Sequence, residues 1–229
     1  MKELMRMVDD NLAHVREEIE KACLRSGRNA GEVEIMAVTK THPAEYVEAA
    51  ISCGVKHIGE NRVSEGGRKV SAVGRDRAIF HLIGVIHRSE VRQAVRDFHC
   101  IDAVDRLRIL EEIVRREASP RILLEVNTSG EKAKKGFPPD GTLLENAMGF
   151  ALENGLSVEG LLTVGPLGAG ETGMREAFAS LRELRDRLSS SLGVPLPALS
   201  MGMSDDFSIA VEEGSTMVRL GRVLFGPRG

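Results

Sequence analysis

The sequence predicts an α/β fold of the TIM type: a (β/α)8 barrel with one extra helix at its N-terminus. Three observations carry this reading. Short, unbroken apolar runs alternate with helical patterns, and eight such runs can be counted. The 229 residues match the roughly 200–250 that one such barrel uses. The strand-then-GxGxxG fingerprint of an open doubly wound sheet, the runner-up, is missing. Residues 1–229 are read as a single domain of this kind, with no internal boundary.

The elements follow in order. Leu4, Val8, Leu12, Val15, Ile19 and Ala22 recur at spacings of three and four, which predicts an amphipathic helix over residues 1–27 that Gly27 stops. This helix precedes the first strand, so it is expected to cover one end or one side of the barrel. Strands are expected at 33–38, 55–58, 79–84, 99–101, 122–126, 158–163, 198–200 and 217–220. Helices are expected between them, at 43–53, 62–73, 89–97, 106–116, 142–154, 174–192 and 205–213. The Gly-rich stretch 165–173 reads as a loop after strand six.

Composition narrows the function. Apolar residues make up 42% and aromatics only 3%, with no Trp and one Tyr, so the core is aliphatic. A net charge of −3 builds no basic face, and nucleic acid is not an expected partner. Cys23, Cys53 and Cys100 are odd in number, widely spaced and form no C-x-x-C, so neither disulfides nor a metal site is expected. Free thiols fit a reducing cytosol. No apolar run approaches the ~20 residues that span a bilayer. The N-terminal MKELMRMVDDNLAHV mixes charges into its apolar residues, unlike a signal peptide. A cytoplasmic protein without a membrane partner is expected.

In a barrel of this type, chemistry sits at the C-terminal ends of the strands. That rule collects Lys40, Glu60, Asn61, His81, His87, Asn127, Thr163, Ser200–Ser204, Arg219 and Gly221. Lys40 directly follows the run IMAVT. A desolvated Lys at a barrel mouth becomes a nucleophile toward carbonyls, whereas an ordinary Lys is a solvated surface residue. A second element lies in SMGMSDDFS and GSTMVRLG, where such barrels often hold a phosphate. Ser204 reads as the N-cap of a helix starting at Asp205. Gly202 and Gly221 would let backbone N–H groups approach an anion, and Asp205 and Asp206 should point away from it. The alternative is ordinary turn glycines plus a helix cap. An amine after strand one and a phosphate cradle after strands seven and eight suggest a phosphorylated carbonyl compound. Pyridoxal 5′-phosphate (PLP) and phosphosugars both qualify.

The segments MAVTKTHP (36–43), HIGENRV (57–63), FHLIG (80–84), IDAVDRL (101–107), EVNTSGEKAKKGF (125–137), GLLTV (160–164), LSMGMSDDFSIAVEEGSTMVRLG (199–221) and LFG (224–226) add a resemblance. In that order they resemble the PLP homeostasis proteins, also called proline synthase co-transcribed homologues or the YggS-type family. These are similar to the barrel domain of alanine racemase, a fold-type III PLP architecture, without its second domain. The resemblance implies PLP as cofactor and a Schiff base on Lys40. It implies a phosphate held by Ser204 and the backbone around Gly221 and Arg222. Arg219 would face the pyridine nitrogen. Asn61 and Met203 would lie close to the cofactor, with Ser200 and His81 near it. The chain departs from the family pattern at Val85–Glu90, where P-L-Q-x-N-K is usual, and at Phe80, where Trp is usual.

Arg219 bears on the choice between enzyme and carrier. PLP works best as an electron sink with a protonated ring nitrogen, which a carboxylate favours and a guanidinium does not. The competing reading pairs Arg219 with a carboxylate such as Glu125. Racemisation also needs a second acid/base; the only Tyr, Tyr46, reads as packing. His81 and His57 read more readily as hydrogen-bonded core residues than as bases. The expectation is a monomeric, non-catalytic carrier that buffers PLP or delivers it to PLP-dependent apo-enzymes. The alternatives are a weak amino-acid racemase, a PLP-free aldolase and a surface adaptor.

Overall fold

The structure is a computed structural model that describes residues 1–131, 133–140 and 142–227. Lys132 of the EVNTSGEKAKKGF segment lies outside the described residues, as do Gly141 and positions 228 and 229 of the expected domain. In chain order the elements are α1 (Lys2–Ser26), β1 (Glu34–Val38), α2 (Ala44–Ser52), β2 (His57–Glu60), α3 (Val63–Val73), β3 (Ile79–Leu82), α4 (Val91–Asp97) and β4 (Cys100–Val104). There follow α5 (Leu107–Arg115), β5 (Arg121–Glu125), α6 (Thr142–Glu153), β6 (Ser157–Leu162), α7 (Glu171–Leu192), β7 (Ala198–Ser200), α8 (Phe207–Glu212), β8 (Met217–Leu220) and α9 (Arg222–Phe225). The eight strands are parallel and close as β1 through β8 back to β1, the expected barrel.

The side-chain period of two divides each strand between two layers. Ala37, Ile58, Phe80, Leu82, Leu199, Val218 and Leu220 join the aliphatic core under the helices. The residues alternating with them, among them Met36, Val38, His57, His81, Ser200 and Arg219, turn into the barrel. The interior layer is therefore unusually polar for a barrel core, and its polar groups must satisfy one another.

Val8, Leu12, Val15, Ile19 and Ala22 of α1 are buried as the spacing predicts, and Gly27 caps the helix in the left-handed region at φ 69°. Helix α1 packs on α8, α9 and α2. Each Leu or Val buried there contributes about 1.5–3 kcal/mol. Asn11 fixes the contact by donating to the Leu224 carbonyl at 2.9 Å.

One expectation needs correction. Ser204 does not cap a helix at Asp205: α8 begins at Phe207, after a turn through 204–206, and the Ser204 hydroxyl accepts the Val223 N–H at 3.2 Å. The side chain that serves this turn is Asp206, which accepts the Met203 amide. Gly202, at φ 95°, allows this tight chain path, since a Cβ there would lie 2.6 Å from the Ala210 Cβ. The short helix α9 was also not foreseen, because four residues carry no periodicity.

Candidate functional site

Lys40 lies two residues beyond Val38, on the parity that turns into the barrel, and is half-buried. Its Nζ donates to Asn61 Oδ1 at 3.4 Å, so the β1 and β2 ends meet at the mouth. Gly84 makes room for this: a Cβ there would collide with the Asn61 carbonyl. On the other side of Lys40, β1 pairs with β8, with Ala37 opposite Leu220. Gly221 consequently lies against Val38, its Cβ position 3.4 Å from the Val38 carbonyl oxygen. The amine and the segment 219–222 thus stand on neighbouring strand ends.

At that neighbouring end, Ser204 accepts the α9 amide of Val223 and keeps its own hydroxyl proton for donation to an anion. Arg222 pairs with Asp205 on the surface. Asp206 is buried, and burial raises its carboxyl above the usual range, against the pull of the Met203 amide and Arg219. Met203 is exposed at the rim.

Arg219 is a buried cation of the interior, with only 5% of its surface exposed. Nη1 donates to the Ser200 carbonyl at 2.7 Å and to Ser200 Oγ at 2.9 Å; Nη2 donates to the Thr163 carbonyl at 2.8 Å. Burial pulls its pKa down, while Asp102, Asp206 and Glu125 push it back up. The expected competing pair with Glu125 is not formed by hydrogen bonds. Glu125 Oε2 is buried and has no hydrogen-bond partner among the described residues, and burial, reinforced by Asp105, raises this carboxyl.

His81 belongs to a buried relay rather than to the open mouth. Its Nδ1 pairs with Asp102 Oδ2 at 2.7 Å and its Nε2 with His57 Nδ1 at 2.9 Å. Both ring nitrogens are therefore engaged, which agrees with the core reading of His57 and His81. Asp102 was missed by sequence reasoning, although a carboxylate inside the apolar run Cys100–Val104 is a usable signal. His81, Cys100 and Asp102 bring ligand-type atoms within 4.8 Å of one another. Burial pushes the Cys100 thiol up and keeps it neutral, a poor state for metal binding.

The relay makes stability pH-dependent. Burial, with His81 and Arg121 adding to it, lowers the His57 pKa from its ordinary 6.5 to about 4. Between these values the unfolded chain binds the proton and the native state does not, so the contribution of neutral His57 is lost as pH falls. Its full size is on the order of 3 kcal/mol. The raised carboxyls of Glu60, Glu125 and Asp206 act in the opposite sense. Urea unfolding of wild type and His57→Gln at pH 7 and 4.5 separates the two effects: the variant is expected to lose less stability over that interval. An equal loss would show that His57 does not titrate as described.

Residues 11–229 match the family described as the alanine racemase N-terminal domain. The chain is 38% identical to the pyridoxal phosphate homeostasis protein of Aquifex aeolicus, over 96% of this chain and 97% of that protein. This chain belongs to that family. It is 35% identical to the homeostasis protein of Pseudomonas aeruginosa, over 98% of this chain and 97% of the other. Among solved structures, it superposes on PipY of Synechococcus elongatus, determined with PLP bound, at a TM-score of 0.81 and 30% identity. That match covers 96% of this chain and 100% of PipY. Alanine racemase from Bacillus anthracis shares the fold at a TM-score of 0.75 and 15% identity, and the match covers 98% of this chain and 56% of the racemase.

The donor set fits a phosphorylated aldehyde. An amine stands at one strand end and an anion-compatible hydroxyl at its neighbour, with a fixed guanidinium deeper in the barrel. No described helix is long and apolar enough to cross a membrane.

Proposed function

We propose that this chain is an intracellular PLP-binding protein that buffers the cofactor or delivers it to PLP-dependent apo-enzymes, without turnover of its own. Lys40 holds the cofactor covalently through its amine. The Ser204 hydroxyl and the backbone at Gly221 and Arg222 hold the phosphate. Asn61 and Met203 border the ring. Arg219 faces the ring nitrogen and is kept in place by Ser200, while His81 acts from the interior behind it. PLP, when bound, supplies an aldehyde for the amine and a ring that withdraws electrons from attached amino acids.

The single observation that carries the carrier reading is Arg219. A guanidinium held by Ser200 and Thr163 stays protonated at neutral pH and is fixed in place. It offers the ring nitrogen a donor and never a proton acceptor, so it disfavours the protonated ring that carbanion chemistry needs. A second acid/base is not well supplied either. His81 is occupied on both nitrogens, and Tyr46, the only Tyr, stacks on His42 with centroids 4.4 Å apart and sits edge-on to Phe225.

Amino acids incubated with the PLP-loaded protein in heavy water test this. Their Cα hydrogens are expected to stay unexchanged over many hours, while apo-enzyme added to the same protein gains activity. Deuterium at Cα that disappears with Lys40→Ala would replace the carrier by a fold-type III enzyme.

The phosphate grip has its own test. Ser204→Ala removes one hydroxyl donor to a charged group, worth about 1.5–3 kcal/mol. PLP affinity is expected to fall roughly tenfold to a hundredfold, while pyridoxal, which lacks the phosphate, binds equally to both proteins. Equal weakening of both ligands would remove Ser204 from the phosphate site.

A further inference from the structure

The turn that carries Lys40 is pinned on both sides by groups with no part in the function proposed above. Lys69, on α3 and 6% exposed, donates to the Thr39 carbonyl at 2.7 Å, to Glu60 Oε1 at 2.7 Å and to Glu65 Oε1 at 2.9 Å. These three acceptors use all three protons of its ammonium group. The Thr39 hydroxyl also donates to Glu60, and the Thr41 amide donates to Glu65 Oε1 at 2.6 Å. The residue before Lys40 is thus held through its carbonyl and hydroxyl, and the residue after it through its amide.

Thr41 has φ 71°, one of two positive values among the described non-glycine residues. For a β-branched residue this conformation is costly and persists only where the surroundings impose it. In that conformation the Thr41 amide meets Glu65 Oε1. Burial raises the Glu60 carboxyl against the donors Lys69 and Thr39; at Glu65, the Lys69 and Thr41 donors overcome burial and hold the carboxyl below its usual range. A single Lys–Glu pair would have neutralised a buried charge. This cluster instead ties the end of β1, the end of β2 and the first turns of α3 into one unit.

We propose that Lys69, with Glu60 and Glu65, is a positioning cluster that fixes the Thr39–Thr41 turn so that the Lys40 amine is presented over the barrel mouth. Its consequence for the cofactor rests on the reading of Lys40 as the PLP-bearing residue; its effect on the turn does not. A Lys40 released from this turn would spend part of its time in orientations that cannot reach the phosphate-anchored aldehyde.

Lys69→Met and Glu65→Gln, made in the full chain, test the proposal with two readouts. Without PLP, hydrogen exchange at the Thr41 amide is expected to accelerate in both variants. After loading, PLP release is expected to quicken roughly tenfold to a hundredfold, with the double variant no worse than the weaker single one, since the three groups act as one network. Val73→Ala, on the same helix but in the apolar core, controls for general loosening of α3 and should leave release unchanged. Wild-type exchange at Thr41 in both variants, or unchanged release, would overturn the proposal, as would equal acceleration in Val73→Ala. If the wild-type chain retained no PLP, the carrier reading would fail, and the Thr41 exchange would still decide whether the cluster holds the turn.

Discussion

Lys40→Ala protein is expected to emerge from desalting without retained PLP, with its affinity for added PLP reduced roughly a hundredfold or more. The phosphate contacts alone would then hold the cofactor reversibly. The fold should be almost unaffected. Lys40 is half-buried at a strand end and its hydrogen bond to Asn61 is long, at 3.4 Å. Truncating it removes little packing, so the urea midpoint should shift by the equivalent of less than about 1 kcal/mol. Retained colour in this variant would move the covalent site to another amine. A collapse of stability would mean that the side chain is structural.

Arg219→Met is expected to do the opposite: it damages the fold first. The guanidinium is buried, donates to Ser200 and Thr163, and is the cation that Asp102, Asp206 and Glu125 share. Methionine fills much of the volume but leaves the Thr163 carbonyl without its side-chain donor, takes one of two donors from the Ser200 carbonyl, and removes the cation that faces Asp102, Asp206 and Glu125. Breaking a buried charge arrangement from one side costs about 3–5 kcal/mol, measurable as a fall in the urea midpoint at constant slope. The loss should shrink as pH falls, because acids that can take up protons no longer need the cation. A variant as stable as wild type at pH 7 would mean that the interior acids are already neutral there, and that Arg219 is held for the cofactor alone.

Much of this was legible in the sequence, for identifiable reasons. Parallel strands buried on both faces leave unbroken apolar runs, so all eight could be placed, and the three- and four-residue spacing from Val8 to Ala22 located α1. The barrel rule then collected Lys40, Ser200–Ser204, Arg219 and Gly221 among others, because they lie at strand ends. What stayed hidden depends on contacts between distant parts of the chain. Nothing local distinguishes Ser204 as a helix cap from Ser204 as a partner of Val223, nineteen residues away. His57, His81 and Asp102 are separated by more than twenty residues each and become a relay only when β2, β3 and β4 are in register. Lys69 and Glu65 are four apart on one helix, and nothing local in the sequence marks the pair as buried. Their role at Thr39 and Thr41 comes from how α3 packs beside the end of β1.

One measurement bears most directly on the whole account. The purified chain is incubated with PLP, reduced with borohydride, digested and mapped by mass spectrometry. A single pyridoxyl-phosphate adduct on the peptide bearing Lys40 is the expected result. An adduct spread over surface lysines, or its absence at Lys40, would contradict the placement of the reactive amine at the mouth of this barrel.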